Sequence, residues 1–403
     1  MTIWNLHLSK AESSGEARAR MERIGADEHG ISAMQPKLLF HPLKLESVPA
    51  DSAVEIKKEL VGMGGDAAIS HEAYEKKAPT TDVLMMGTAD HYANLARRLQ
   101  DRENGLSELS SELSALLSRI ERQSFRVKAG EHVLSLGEKP VFMGIINCTP
   151  DSFYDGGKFH DPEKAIARGR ELISEGAAIL DIGGESTRPG AEAIPAAEEL
   201  DRVLPVIRGL AGSGALISID TSKAEVARQA LKAGAGMIND VSALADPDMA
   251  GVAADSGAAV VLMHMLGTPR IMQKDPSYRD LFAEIIAYLE GRMESAVKAG
   301  VSEDSLIVDP GIGFGKTVAH NLELLRDLWR LRSLGRPILL GASNKSFIGK
   351  VLGVEADDRR EGTAAALTAG VLSGAHIFRI HEVAFHKRFV EMAWAIKNGE
   401  RRS

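Results

Sequence analysis

The residue pattern points to an α/β architecture, a (β/α)8 TIM barrel preceded by a smaller α/β domain. From Val141 onward, short apolar runs alternate with amphipathic segments of helical period, as in βαβ units around a parallel sheet. Eight such runs are present: Val141–Asn147, Ala178–Gly184, Leu216–Thr221, Met237–Val241, Ala258–Met265, Leu306–Pro310, Pro337–Ser343 and Ile377–His381. A barrel of this kind takes roughly 250 residues. A chain of 403 residues therefore has room for one further, smaller domain.

Between the strands lie helical segments such as Pro162–Glu175, Ala196–Leu210, Lys223–Ala233, Leu281–Ala299 and Leu322–Leu334. Several are followed by glycine, at Gly176, Gly234, Gly300 and Gly335, as helix C-termini often are.

The expected domains are an N-terminal α/β extension over 1–125, a hairpin linker over 126–140 and the barrel over 141–403. In the extension, residues before Gln35 are polar, with little periodicity outside Ala17–Ile24. Lys37–Val48 reads as an extended segment interrupted by Pro42, and Asp51–Val61 as a helix ending in a glycine cluster. Asp82–Met86 reads as a short strand, followed by helices over Ala89–Gln100 and Ser107–Ile120. Val127–Leu136, with Gly130 between two β-prone runs, reads as a hairpin. Asp27-Glu28-His29 begins like the corrinoid-binding pattern D-x-H-x-x-G, but Ser32 stands where the glycine is needed. His71 and His91 lack metal-ligand spacing. The extension shows no recognisable chemistry.

A hydrophobic fraction of 44% supports a sizeable core, and the net charge of −8 argues against a dedicated nucleic-acid binder. The one cysteine, Cys148, excludes an internal disulfide and suits a reducing compartment. No apolar run approaches a membrane span and no secretory h-region stands near the N-terminus, so the expectation is a soluble, cytoplasmic protein.

Chemistry concentrates where strands end. Val141–Gly157, VFMGIINCTPDSFYDGG, passes from an apolar strand into Asn147, Thr149, Asp151, Ser152, Asp155 and paired glycines. Ligands of parallel α/β folds bind at the carboxyl ends of strands. Later strand ends carry Asp181 and Glu185, Asp220, Asn239 and Asp240, His264, Asp309, Ser343 and Lys345, and Arg379 with His381. Packing alone does not call for that many polar groups at one mouth.

Asp220, Asn239 and Asp309 with Lys345 suit a flat heterocycle of alternating amino and carbonyl groups, because a carboxylate accepts two parallel N–H bonds from a guanidine-like edge. Asn147, Arg188, Arg379 and His381 suit a polyanion, with or without a divalent metal. Asp309–Thr317, DPGIGFGKT, is not a phosphate-binding P-loop, since Pro310 occupies the first glycine position. Nor is it G-x-G-x-x-G, since Lys316 stands last.

With GIINCTPDSFYDGG, DIGGESTRPGA, ISIDTSKAEVA, INDVS, LMHMLGTP, DPGIGFGKT, SNKSFIG and FRIHEV in this order, the chain from Val141 to Lys397 resembles the dihydropteroate synthases. That resemblance implies joining 6-hydroxymethyl-7,8-dihydropterin diphosphate to p-aminobenzoate, with release of pyrophosphate. It implies pterin binding by Asp220, Asn239, Asp309, Lys345 and Arg379, and diphosphate binding by Asn147, Arg188, Arg379 and His381. Thr187, Pro189 and Ser346 would line the p-aminobenzoate site, Asp155 and Arg188 would meet as loops close, and Mg2+ would sit at Asn147. Asn147, Asp220, Asp309, Lys345, Arg379 and His381 would carry catalysis, and the implied assembly is a homodimer through barrel helices.

Two departures from the family pattern stand out: Asn344 where S-R-K-S has arginine, and Glu382 where R-x-H-D-V has aspartate. The alternatives are a pterin-dependent methyltransferase serving a corrinoid protein, which has no need of the TPDSF and STRPG loops, and a non-catalytic pterin-binding protein.

Overall fold

The computed structural model describes residues 9–11, 13–149, 162–186 and 192–399. The chain divides into two compact units, Met1–Arg122 and Gln123–Ser403.

The first unit opens with α1 (Ser14–Ile24) and α2 (Glu28–Leu38). Both begin at side-chain caps, Ser13 accepting from the Glu16 N–H and Asp27 from the Gly30 N–H. The corrinoid-like Asp27 is thus a helix cap. Then follow β1 (Phe40–Pro49), α3 (Ala50–Gly62), β2 (Asp66–Ala68), α4 (His71–Tyr74), β3 (Thr80–Thr88), α5 (Ala89–Leu99) and α6 (Leu106–Glu121). The three strands form an antiparallel sheet in the order β1-β3-β2. Pro42 is accommodated because β1 is an edge strand, with one side free of ladder bonds. Ile56, Leu60, Val83, Met85, Tyr92, Leu95 and Leu99 are buried together as this unit's core.

The second unit begins with the hairpin β4 (Phe125–Ala129) and β5 (His132–Leu136). The barrel follows, alternating β6 (Val141–Asn147), α7 (Pro162–Glu175), β7 (Ile179–Gly183), α8 (Ala196–Leu210), β8 (Leu216–Asp220), α9 (Ala224–Lys232), β9 (Met237–Asp240) and α10 (Met249–Ser256). It continues with β10 (Ala259–Met263), α11 (Leu281–Lys298), β11 (Leu306–Asp309), α12 (Val318–Arg326), β12 (Leu339–Leu340), α13 (Ser346–Leu352), α14 (Arg360–Leu372), β13 (Ile377–Ile380) and α15 (Val383–Asn398). The eight strands are parallel in the order β11-β10-β9-β8-β7-β6-β13-β12. A parallel bridge between Val308 and Ile338 closes the ring.

Two expectations need correction. The helix expected over Leu322–Leu334 is α12, started one turn earlier by the Thr317–His320 cap and ended where Asp327 leaves helical geometry (φ −111°, ψ 22°), followed by a 3-10 segment, Leu328–Leu334. The seventh strand is reduced from Pro337–Ser343 to Leu339–Leu340.

Inside the barrel, Met143, Ile179, Met237, Val261, Ile307 and Ile377 share one buried cluster with Phe125, Val127, Ala129 and Leu136 of the hairpin. The hairpin therefore plugs the barrel at the amino ends of its strands. It fits closely: a Cβ on Gly236 would lie 2.8 Å from the Ala129 carbonyl oxygen, and the Gly130 N–H donates to the Gly257 carbonyl at 2.9 Å. The carboxyl ends form the other mouth.

Candidate active site

Parallel register brings the polar strand ends to one level. Asn147 pairs with Gly183, Gly183 with Asp220, and Asp220 with Asn239. Arg379, on β13, reaches across this ring as a fork. Its Nε donates to Asp181 Oδ2 at 2.6 Å and its Nη2 to Asp220 Oδ2 at 2.5 Å. Asn239 Nδ2 donates to the same Asp181 oxygen at 3.0 Å. Both remaining oxygens, Asp181 Oδ1 and Asp220 Oδ1, are buried without a hydrogen-bond partner among the described residues. Buried acceptors are nearly always satisfied, so two idle oxygens in one cluster mark where a donor is missing.

Charge balance follows from the crowding. Burial pushes the Asp220 carboxyl up to about 7, against the pull of Arg379 and with help from Asp181. Burial also opposes the Arg379 charge, but Asp181 and Asp220 outweigh it and raise the guanidinium above its ordinary value. Asp309 accepts the Gly311 N–H at 2.7 Å, and its carboxyl too is pushed up by burial. Lys345 lies with its ammonium 4.0 Å from the centre of the Phe314 ring, a cation–π contact. Burial and the nearby Arg379 lower it to about 8. His381 shares a 2.9 Å hydrogen bond, through Nδ1, with Ser343 Oγ. Asn147 ends β6 half-buried, and Ser346 opens α13 exposed.

The structure thus brings Asp220, Asn239, Asp309, Lys345 and Arg379 into one charged cluster, and places Asn147, His381 and Ser346 at the same carboxyl-end mouth. Asp155, Thr187, Arg188 and Pro189 lie outside the described residues. Other polar strand ends serve the fold: Asp240 accepts the Ser242 and Leu244 N–H groups, and Glu185 pairs with Lys223 at 3.0 Å.

Two residues of the site gave too little signal in the sequence. Asp181, fully buried, was visible only as one more strand-end acid, yet it is the second arm of the Arg379 fork. Lys316, in a loop that fails both nucleotide patterns, is 3% exposed. Its Nζ lies 3.0 Å from His264 Nδ1 and donates to the Phe314 carbonyl at 2.9 Å. Burial lowers Lys316 to about 7 and, with Lys316 beside it, lowers His264 to about 3. His264 is therefore neutral, a packing partner of the loop below Lys345. Gly311 admits this approach: at φ +68° a Cβ would lie 2.0 Å from the His264 carbonyl oxygen.

Asn344 adopts φ +56°, in the left-handed region that asparagine tolerates well. Its side-chain oxygen accepts from Thr363 Oγ1 at 3.3 Å, so the side chain folds toward α14.

A family model described as "Pterin binding enzyme" matches residues 143–381. The dihydropteroate synthase of Bacillus subtilis is 45% identical over 267 residues, covering 66% of this chain and 91% of that protein. A probable bifunctional folylpolyglutamate synthase/dihydropteroate synthase of Halobacterium salinarum is 40% identical over 391 residues, or 96% of this chain. The chain spans 47% of that relative, about half its length. Among solved structures, Xanthomonas albilineans dihydropteroate synthase with 4-aminobenzoic acid superposes with a TM-score of 0.64 at 45% identity, over 68% of this chain and 98% of that one. The chain belongs to the dihydropteroate synthase family of pterin-binding enzymes.

Proposed function

We propose that the chain joins 6-hydroxymethyl-7,8-dihydropterin diphosphate to p-aminobenzoate, forming 7,8-dihydropteroate and pyrophosphate. The observation that carries this reading is the pair of idle buried oxygens on Asp181 and Asp220 within the Arg379 fork. A pterin presents a guanidine-like edge of N–H donors, the group such acceptors need. In this reading Asp220, Asn239, Asp309 and Lys345 hold the pterin, and Arg379 packs on its face. Arg379, His381, Asn147 and Arg188 receive the diphosphate. Thr187, Pro189 and Ser346 line the acceptor site, and Asp155 pairs with Arg188 as the loops close.

The reaction breaks the bond between the pterin methylene and the diphosphate oxygen and forms a bond from that carbon to the aryl nitrogen. The displaced electrons leave with pyrophosphate, and the amine loses one proton. The aryl amine is already nucleophilic, so Arg379 and His381 act by neutralising leaving-group charge and Lys345 by orienting the ring.

Magnesium fits as an ion carried in with the diphosphate. Asn147 offers one neutral oxygen, and among the described residues no group of three His, Cys, Asp or Glu side chains could hold a metal. Phosphate oxygens and water would fill the rest of its shell. Bound there, it supplies further charge neutralisation.

Among the described residues no helix is long and apolar enough to cross a membrane. The proposal places the enzyme in the cytoplasm as a homodimer, supported by Phe389, Met392 and Ile396 exposed along one side of α15. The extension before the barrel, 1–125, serves assembly, regulation or partner docking in this reading.

Pyrophosphate release with the pterin diphosphate, Mg2+ and p-aminobenzoate tests the reading. Turnover is expected; tight pterin binding without it would turn the reading toward a different acceptor or a binding role.

A pH dependence is also expected. With Oδ2 taken by Arg379, Asp220 accepts a ligand N–H at Oδ1 best as the carboxylate, and burial pushes its carboxyl up to about 7. Affinity for 6-hydroxymethylpterin should therefore strengthen as pH rises through that value, by up to about tenfold per unit below it, then level off. Calorimetric titration across this range checks it; a flat wild-type profile would refute the role given to Asp220. The Asp220→Asn variant should bind weakly and lose the dependence.

A further inference from the structure

The Ser343–Ser346 turn carries Lys345 and Ser346, which the proposed function assigns to the two different substrates. Its own backbone is held from a third element. The Asn344 N–H donates to Thr363 Oγ1 at 3.1 Å, and the Asn344 carbonyl accepts from Arg359 Nη1 at 3.2 Å. Thr363 is fully buried in the first turn of α14, and Arg359 is the N-cap of that helix. The Thr363 N–H donates to the Arg359 carbonyl at 2.8 Å, so the two holding groups are locked to one another.

Arg359 is seated against α13 at Gly349. A Cβ there would lie 2.7 Å from Arg359 Nε and 2.9 Å from Nη2, so a larger residue at 349 would evict the guanidinium. The Asn344 side chain completes the arrangement by accepting from the Thr363 hydroxyl, whose oxygen receives the Asn344 N–H.

We propose that Thr363 and Arg359 are positioning residues, a clamp on the Asn344 peptide groups that sets Lys345 and Ser346 together. Position 344 is then filled for its left-handed backbone and its bond to α14, and contributes no charge to the acceptor site. The inference rests on the proposed function for what the turn presents, and on geometry alone for how the turn is held. The absence of an arginine at 344 leaves the acceptor class unchanged, an aromatic amine bearing a carboxylate.

Three variants test this in the full chain: Thr363→Val, which keeps shape and removes both hydroxyl bonds; Thr363→Ser, which restores them; and Asn344→Gly, which keeps the backbone conformation and removes the side chain. Thr363→Val is expected to lower kcat/KM at least tenfold, with KM rising for pterin diphosphate and p-aminobenzoate together. Thr363→Ser should return both to within about twofold of wild type, and Asn344→Gly should leave the acceptor KM within about threefold.

A Thr363→Val variant with a lower Tm and unchanged KM values would overturn the proposal. So would a rise in acceptor KM alone in Asn344→Gly. The Asn344 amide should exchange slowly with deuterium in wild type and fast in Thr363→Val. Absence of turnover in wild type would sink the functional reading, and amide exchange would still decide whether the turn is held from α14.

Discussion

Arg379→Met is expected to cost about 3–5 kcal/mol of stability and to abolish detectable turnover. The stability loss arises because the one guanidinium is shared between two buried carboxylates, Asp181 and Asp220, at the barrel mouth. Removing one partner of a buried ion pair strands the other, which costs more than the pair contributed. The deficit should narrow at acid pH, where protonation discharges the stranded Asp220, whose carboxyl burial already pushes up. Arg379→Lys should rescue poorly, since one ammonium cannot reproduce separate bonds from Nε and Nη2. Adding Asp181→Asn to Arg379→Met should recover part of the loss, as expected of coupled sites. Denaturant titration from about pH 5 to 8 reads these effects. A wild-type-like midpoint would show that the fork is not what keeps the carboxylates tolerable.

Lys345→Ala is expected to give the opposite division: a large loss of turnover with little loss of stability. Charged hydrogen bonds are worth about 1.5–3 kcal/mol each, so on the proposed function losing this donor should slow pyrophosphate release by about ten- to 160-fold. The fold should tolerate the change, because burial and then the nearby Arg379 already oppose the Lys345 charge. Turnover measured beside Tm separates the two effects. Unchanged turnover would remove Lys345 from the site. A collapse of Tm would reassign it to the fold.

Much of the barrel was legible because local chemistry and global fold agree. β6, α7 and α8 fall at the expected residues, since apolar runs and helical periods there are bounded by strong breakers. Of the first two helices only the periodic Ala17–Ile24 part of α1 was legible; the start of α1 and the whole of α2 rest on caps at Ser13 and Asp27 rather than on a pronounced apolar stripe. The end of the seventh strand misled because the apolar run Ile338–Leu340 reads on into Gly341-Ala342-Ser343, residues of low strand propensity where the chain turns toward Asn344 and α13. Residue types at the site could be read one strand end at a time. Their pairings could not: Asp181 and Arg379 meet across 198 positions, and Lys316 meets His264 across 52. No local signal marks which acid a distant arginine will choose.

The plugged end of the barrel has a wider consequence. A tube open at both ends would let water reach the inner side chains from below, and any residue there would be judged by two demands at once. Closed by its hairpin, the barrel is a cup. Phe125, Val127 and Leu136 serve cohesion alone, while rim residues such as Arg379 answer to chemistry and stability together. The floor fits too closely to drift, so change is left to the rim. Substrate preference can then diversify on a base that keeps its shape.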